Sequence, residues 1–273
     1  MRYYRERARG QLIPFPSRED PVATDPLPEG VEPWSVSDPL ADIDWVETVM
    51  RSPVVIPGIT TMRREWGTST GAEPHRVPVD LDLYVDSSGS MPNPQVTVSY
   101  LTLAGAIVAL SALRAGAKVQ ATLWSGAGQF LTTPGFVRDE EAVLRVLTGF
   151  FGGATAFPIH VVRDTYATRK PDAGPAHVLV VSDDGVTTMF DHDERGRDGR
   201  DVINHALDRA GGGATMVLNL WGGLERDPAF GQAADDGWDI HVVRDWADLV
   251  TFARAFSRRA YSRDGGQRNG GRP

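Results

Sequence analysis

The sequence predicts an α/β fold from residue 79 onward: a Rossmann-like, doubly wound, mostly parallel sheet flanked by helices. Three observations point to it. Short apolar runs rich in β-branched residues alternate with stretches of helical periodicity. The runs end in Asp, Ser and Gly, and the spacing leaves room for a crossover helix between most of them. At 273 residues, 41% hydrophobic, the chain accommodates one large core and an appendage.

Taken in order, Leu81–Val85 reads as the first strand. Tyr100–Leu113 reads as a helix, with Leu103, Ile107, Leu110 and Leu113 on one stripe. Leu101 and Val108 make that helix apolar on other sides too, so it is expected to be well buried. Val119–Trp124 is a strand, and Gln129–Thr132 its partner across the turn Ser125-Gly126-Ala127-Gly128. Glu140–Leu147 and Pro158–Arg169 are helices. His177–Ser182 is apolar and bounded by Pro175 and Asp-Asp-Gly, the pattern of a buried parallel strand. A helix over Arg200–Arg209, strands over Thr215–Leu220 and Ile240–Val243, and a closing helix over Trp246–Phe256 complete the series.

The first 78 residues differ in character. Eleven of the 19 prolines lie there, and proline breaks both helices and central strands. Trp34, Trp45, Val54, Val55, Ile56 and Ile59 nevertheless make the region too apolar for a solvated tail. It is expected to be a proline-rich arm packing on the following domain. One helix is expected over Pro39–Arg51, with Asp38 as cap and proline in the tolerated first position. The polar, glycine-rich residues 261–273 are expected to form a disordered tail.

Composition excludes several classes. A balance of 28 basic to 36 acidic residues, net −8, argues against nucleic-acid binding. With no cysteine there is no disulfide framework, thiolate zinc site or cysteine nucleophile. No secretory signal follows the charged Met1–Arg7 start, and the uncharged run between Asp86 and Arg114 is interrupted by Pro92 and Pro94. A cytoplasmic protein without a membrane segment is the expectation.

In an open parallel sheet, ligands bind at the carboxyl ends of the strands. There the sequence places Asp86-Ser87-Ser88-Gly89-Ser90 and Ser182-Asp183-Asp184-Gly185, with Gly152-Gly153-Ala154-Thr155 opening a helix nearby. These loops offer carboxylates and hydroxyls but no nitrogen or sulfur donor. All-oxygen sets suit a hard cation, Mg²⁺ above all, with Mn²⁺ or Ca²⁺ as alternatives. Alternation along Asp86, Ser88 and Ser90 lets them share one face, and Gly89 lets the loop bend. Two carboxylates balance a divalent charge, leaving the ion able to accept a partner's carboxylate. As Asp86 stands at a loop mouth, Asp86→Ala is expected to leave the fold intact.

Residues 79–260 resemble a von Willebrand factor A (vWA) domain with its metal-ion-dependent adhesion site (MIDAS). Asp86, Ser88 and Ser90 match its Asp-x-Ser-x-Ser element, followed by Met91. Thr155 matches the threonine of the second loop, although the family's threonine directly follows Gly-Gly and Ala154 intervenes here. Ser182-Asp183 matches the third element, and the adjacent Asp184 is the alternative ligand. Trp124-Ser125-Gly126 and Phe256-Ser257-Arg258-Arg259 further resemble the bacterial intracellular branch that works with MoxR-type AAA+ ATPases. The resemblance implies a non-enzymatic adaptor that binds such a motor or its client through a partner Glu or Asp completing the metal shell.

Rival readings rest on fewer residues. Asp80-x-Asp82 with Asp183-Asp184 has the look of a haloacid-dehalogenase-like phosphohydrolase, but Asp80 begins its strand where the nucleophile must end one. A metal-free structural vWA domain is the other alternative. The stretch from Asp191 starts like a calcium loop, yet its twelfth position is Val202. Gly67-Thr68-Ser69-Thr70-Gly71 spells a nucleophile elbow without the strand and helix that motif needs. Arginines near both ends, Arg5 and Arg9 or Arg258 and Arg259, read as solvated.

Overall fold

The computed structural model describes residues 1–13, 15, 17–19, 26–68, 76–170, 173–220, 222–224, 227–245, 248–253 and 256. The expected tail 261–273 lies outside the described residues, as do Ser69–Gly71 of the elbow-like motif, Trp246 of the closing helix, and Arg258 and Arg259. The chain divides into two compact units, Met1–Arg18 with Val77–Pro273, and Glu19–Arg76.

In chain order the elements are α1 (Arg2–Arg9), β1 (Ser17–Glu19), β2 (Pro26–Pro33), a 3₁₀ turn (Leu40–Asp42), α2 (Trp45–Arg51), β3 (Met62–Thr68), β4 (Arg76–Pro78) and β5 (Asp80–Asp86). Next come α3 (Tyr100–Arg114), β6 (Val119–Trp124), β7 (Phe130–Thr132), α4 (Glu140–Leu147), α5 (Ile159–Thr168) and β8 (Ala176–Asp183). A second 3₁₀ helix (Asp184–Phe190), α6 (Gly199–Ala210), β9 (Gly211–Asn219), α7 (Pro228–Asp235) and β10 (Trp238–Val243) follow. Residues 248–253 are helical.

The larger unit is built on a six-stranded sheet in the order β10-β9-β8-β5-β6-β7. All neighbouring pairs are parallel except β6 and β7. The predicted doubly wound α/β fold is thus the observed one. From β5 the chain builds to one side through β6 and β7, then crosses to the other through β8, β9 and β10. The topological switch point therefore lies between β5 and β8, whose register sets Val85 opposite Val181. Ligand crevices in this architecture open at that point, outside the carboxyl ends of the strands.

Both faces of the sheet are covered. Leu81, Leu83 and Val85 of β5 pack with α3, α4 and Leu249 in one core, and Tyr84 packs with α5, α6 and α7 residues in the other. Helix α3 is buried on nearly all sides, as its apolar composition predicts. Among the described residues no helix is long and apolar enough to cross a membrane.

Residues 1–18 belong to this α/β unit. Helix α1 turns Tyr4 and Ala8, one helical turn apart, inward. The Tyr4 hydroxyl accepts the Ser99 N–H at 2.9 Å and donates to the carbonyls of Pro94 and Thr97. Ser99 in turn caps α3 by accepting from Thr102 N, so Tyr4 braces the start of the most buried helix. Arg5 and Arg9 meet Glu140 of α4, and the Ile13 N–H donates to Ser111 Oγ at 3.0 Å.

The Glu19–Arg76 unit pairs β2 and β3 antiparallel, with Pro28 opposite Trp66 and Pro33 opposite Met62. Prolines are tolerated because this is a two-stranded sheet, in which an edge amide has no ladder partner to lose. Among its described residues Trp34, Ile43 and Met62 are the buried apolar side chains, and Thr48 and Thr61 are buried as well. The helix expected from Pro39 is a correction. A 3₁₀ turn occupies 40–42 and α2 starts at Trp45, capped by Asp44, which accepts from the N–H groups of Val46 and Glu47. Asp38 instead accepts from Ser35 N.

Beneath the switch point, Asp82 is wholly buried, with the Tyr84 hydroxyl donating to it at 3.1 Å. Burial pushes its carboxyl up to about 7, against the neighbouring Tyr166 hydroxyl, the Tyr84 hydrogen bond and the Arg169 charge, which pull it down. Between the ordinary carboxylate range and about 7, the folded chain keeps a proton that the unfolded chain has released. Stability therefore falls as pH rises through that window.

Two outcomes are expected. Tyr4→Ala lowers unfolding free energy by about 3 kcal/mol and Tyr4→Phe by about 1; urea midpoints unchanged in both would mean that α1 does not dock. Asp82→Asn flattens the loss of stability between pH 4 and 7, by up to about 4 kcal/mol; parallel pH–stability curves for the two proteins would contradict the burial argument.

Candidate metal centre

The switch point brings together residues from three loops. Asp86 ends β5 and is buried; its Oδ1 accepts the Ser88 N–H at 2.7 Å and its Oδ2 accepts the Ser182 hydroxyl at 2.6 Å. Ser182 sits in β8, so this one carboxylate ties the ends of both strands. The Ser88 and Ser90 hydroxyls lie 3.2 Å apart, and Ser90 donates to Asp183 Oδ2 at 2.8 Å. Asp183 Oδ1 accepts from Gly185 N, capping the 3₁₀ helix that follows. Asp86, Ser88, Ser90 and Asp183 thus form one connected cluster, with Asp86 and Ser88 buried and Ser90 exposed.

Thr155 lies beside this cluster, its methyl against Gly185. A Cβ on Gly185 would fall 2.5 Å from the Thr155 methyl and 3.0 Å from Asp183 Oδ1. Only glycine leaves room there for Thr155 beside Asp183. The intervening Ala154 is absorbed by a loop without regular structure over residues 151–158, held by Ser125, whose hydroxyl donates to the Ala154 carbonyl at 2.9 Å. Asp184 takes no part in the cluster. It is exposed, and its carbonyl accepts from Thr187 Oγ1.

The first and second loops are stitched together by residues outside the predicted set. The Ser87 hydroxyl accepts from Phe151 N and its carbonyl from Gly152 N, and Gly89 N donates to the Gly153 carbonyl at 2.8 Å. Ser125 also accepts from Gly153 N. Gly89 has no left-handed backbone. A Cβ there would press within 3.3 Å of the Gly152 carbonyl oxygen, so glycine serves close approach of the second loop and not bending. Ser87 faces away from the alternating Asp86, Ser88, Ser90 set, and for that reason the motif reading passed over it. Ser125 stood out in sequence only through the Trp-Ser-Gly resemblance.

Two carboxylates therefore stand close together without an arginine, lysine or histidine partner among the described residues. Burial raises Asp86 above the ordinary carboxylate range, hydrogen bonds from Ser182 and Ser88 oppose this, and the Asp183 charge raises it further. A cation would relieve both the burial and the repulsion. Among the described residues no three His, Asp or Glu side chains gather as a metal-ligating group, so any ligand set here depends on the hydroxyls. Carboxylates with hydroxyls suit a hard ion and not zinc. Beside Thr155 opens a groove of about 450 Å³ lined by Phe130, Phe157, His160 and His192.

No known family model and no curated protein matches the sequence. Several solved structures are similar. The match to the pilus adhesin SpaC from Lactobacillus rhamnosus GG is 13% identical and covers 68% of this chain and 30% of that one, with a TM-score of 0.46. That to the conserved hypothetical protein BatB from Bacteroides thetaiotaomicron is 14% identical over 67% of this chain and 100% of that one, TM-score 0.41. The vWF domain of the type V pili tip protein Mfa5 from Porphyromonas gingivalis is 13% identical over 72% and 98%, TM-score 0.36. The chain spans only 20% of a three-domain fragment of Mfa5, and 30% of SpaC.

Burial of Asp86 revises the expectation that Asp86→Ala leaves the fold intact. The change leaves the Ser182 hydroxyl and the Ser88 N–H without acceptors, costing about 3 kcal/mol, whereas exposed Ser90→Ala costs about 0.5 or less. Equal denaturation midpoints for the two variants would show that the carboxylate has no structural part.

Proposed function

We propose that the α/β unit is a vWA-type protein-binding module that recognises its partner through a divalent cation, Mg²⁺ first, with Mn²⁺ or Ca²⁺ as alternatives. The observation that carries this reading is the connected cluster of Asp86, Ser88, Ser90 and Asp183 at the switch point, with Thr155 alongside. Ser88 and Ser90 would hold the ion directly; Asp86, Thr155 and Asp183 would do so directly or through water. When bound, the cation supplies a Lewis-acidic position for a partner's Glu or Asp. Opposite unit charges about 4 Å apart at an effective dielectric near 20 attract by roughly 4 kcal/mol, enough to gate an interface.

The chain's own residues prepare that position. Ser182 and Ser88 N hold the Asp86 carboxylate still, Gly185 N holds Asp183, and Ser87 with Ser125 fixes the second loop against the first. No nucleophile, base or leaving-group donor is needed, so the role proposed is recognition without catalysis. A MoxR-type AAA+ ATPase, or its client, is the proposed partner, and a cytoplasmic location goes with it. Both rest on the sequence resemblance alone.

Calorimetry on the full chain tests the site. Wild type should bind Mg²⁺ or Mn²⁺, and Ser90→Ala and Asp183→Asn should weaken binding roughly tenfold or more while keeping the wild-type melting temperature. Equal affinity in all three proteins, or none in wild type, would sink the cation reading. Recovery of an AAA+ ATPase in a pull-down that survives chelator would separate the partner from the metal. Aryl phosphatase activity with Mg²⁺ would favour the phosphohydrolase instead.

A further inference from the structure

We infer that the Glu19–Arg76 unit carries a docking groove for a basic, amphipathic segment of a partner protein. The inference does not rest on the cation reading. Its starting point is α2, which is built inside out. Trp45, Val46, Val49 and Met50 fall on one helical stripe and are 55, 67, 56 and 79% exposed, whereas the buried residue of the helix is Thr48. Thr48 earns its place by accepting the Met62 N–H at 2.9 Å, and Asp44 fixes the helix start. Polar bonds thus hold the helix, and its apolar face is left for something else.

That face continues into a groove of about 700 Å³ between the start of α2 and β3, where Trp45 and Val46 stand across from Trp66, itself 57% exposed. Val54 and Ile59, after α2 in the chain, are exposed as well. Contiguous patches of this kind are uncommon on surfaces that face only water, and tryptophan is the residue most enriched where binding energy concentrates.

Charge selects the occupant. Four carboxylates line the groove, Glu32, Asp42, Asp44 and Glu65, against two guanidinium groups. Arg63 is engaged by Glu32 at 2.7 Å and Arg64 by Asp44 at 2.5 Å. Asp42 and Glu65 are exposed and have no ion pair among the described residues. An apolar floor with two tryptophans and an acidic rim fits leucine-like anchors flanked by lysine or arginine, whose cations also suit the indole faces. The same rim repels anionic lipid headgroups.

The test titrates the full chain with a labelled amphipathic peptide of leucine and lysine, and with its leucine–glutamate counterpart. The lysine peptide should bind whether or not chelator is present, and the glutamate peptide should not. Trp66→Ala, and separately the pair Asp42→Lys with Glu65→Lys, should each weaken binding roughly tenfold. Both sites are exposed, so melting temperatures should not move; Trp45→Ala provides a further variant should one of them fail to fold. Equal affinity across the variants, or equal binding of both peptides, would overturn the proposal. So would self-association, or capture by phosphatidylglycerol vesicles, that depends on the same residues.

Discussion

One buried carboxylate organises the carboxyl edge of the sheet. Asp86 accepts a hydroxyl from β8 and an amide from its own loop, so two strands that diverge at the switch point are joined by a single side chain. A carboxylate in this position is stable only if its oxygens are satisfied, and each is. The remaining geometry follows. Because Asp86 fixes Ser88, the Ser88 and Ser90 hydroxyls point along the same edge; because Ser182 is fixed, Asp183 arrives opposite them. Removing Asp86 therefore disturbs the frame as well as the charge, which makes Ser90 and Asp183 the cleaner probes of binding.

Much of the α/β unit was legible in the sequence because its strands are buried on both faces. Such strands show as unbroken apolar runs, and His177–Ser182 marked β8 to within a residue at each end. The Asp-x-Ser-x-Ser spacing marked the loop because strand alternation carries over into it. What escaped has physical reasons too. Helix α1 directs only Tyr4 and Ala8 inward, so its apolar stripe, amphipathic as it is, is only two side chains long among eight residues dense in arginine. Three aspartates, Asp38, Asp42 and Asp44, precede α2, and the Asp38-Pro39 pair has the better local pattern for a cap; the chain uses Asp44, which also meets Arg64. The burial of Asp86 depends on Ser182, distant in sequence, and no local pattern contains it.

The two units solve the problem of proline differently. In the α/β unit proline is kept at strand and helix boundaries, as at Pro158 before α5 and Pro228 at the start of α7. In the Glu19–Arg76 unit, Pro26, Pro28 and Pro33 lie within β2 itself, which a two-stranded pair permits. A ribbon of that kind buries little: among the unit's described residues the buried apolar side chains are Trp34, Ile43 and Met62. Thr48 and Asp44 then hold α2 through backbone amides, and that economy leaves the large side chains outside.

The hydrogen bonds between Ser87, Gly89 and the 151–154 loop would bear on the selectivity of the proposed cation site. Loops already fastened to each other cannot breathe to suit guests of different radius. Small ions with strict six-fold preferences and larger ones with seven or eight oxygen neighbours make unequal demands on such a frame, whereas slack loops would admit both. If the proposed cation binds, discrimination would be written into backbone amides that touch no ion at all.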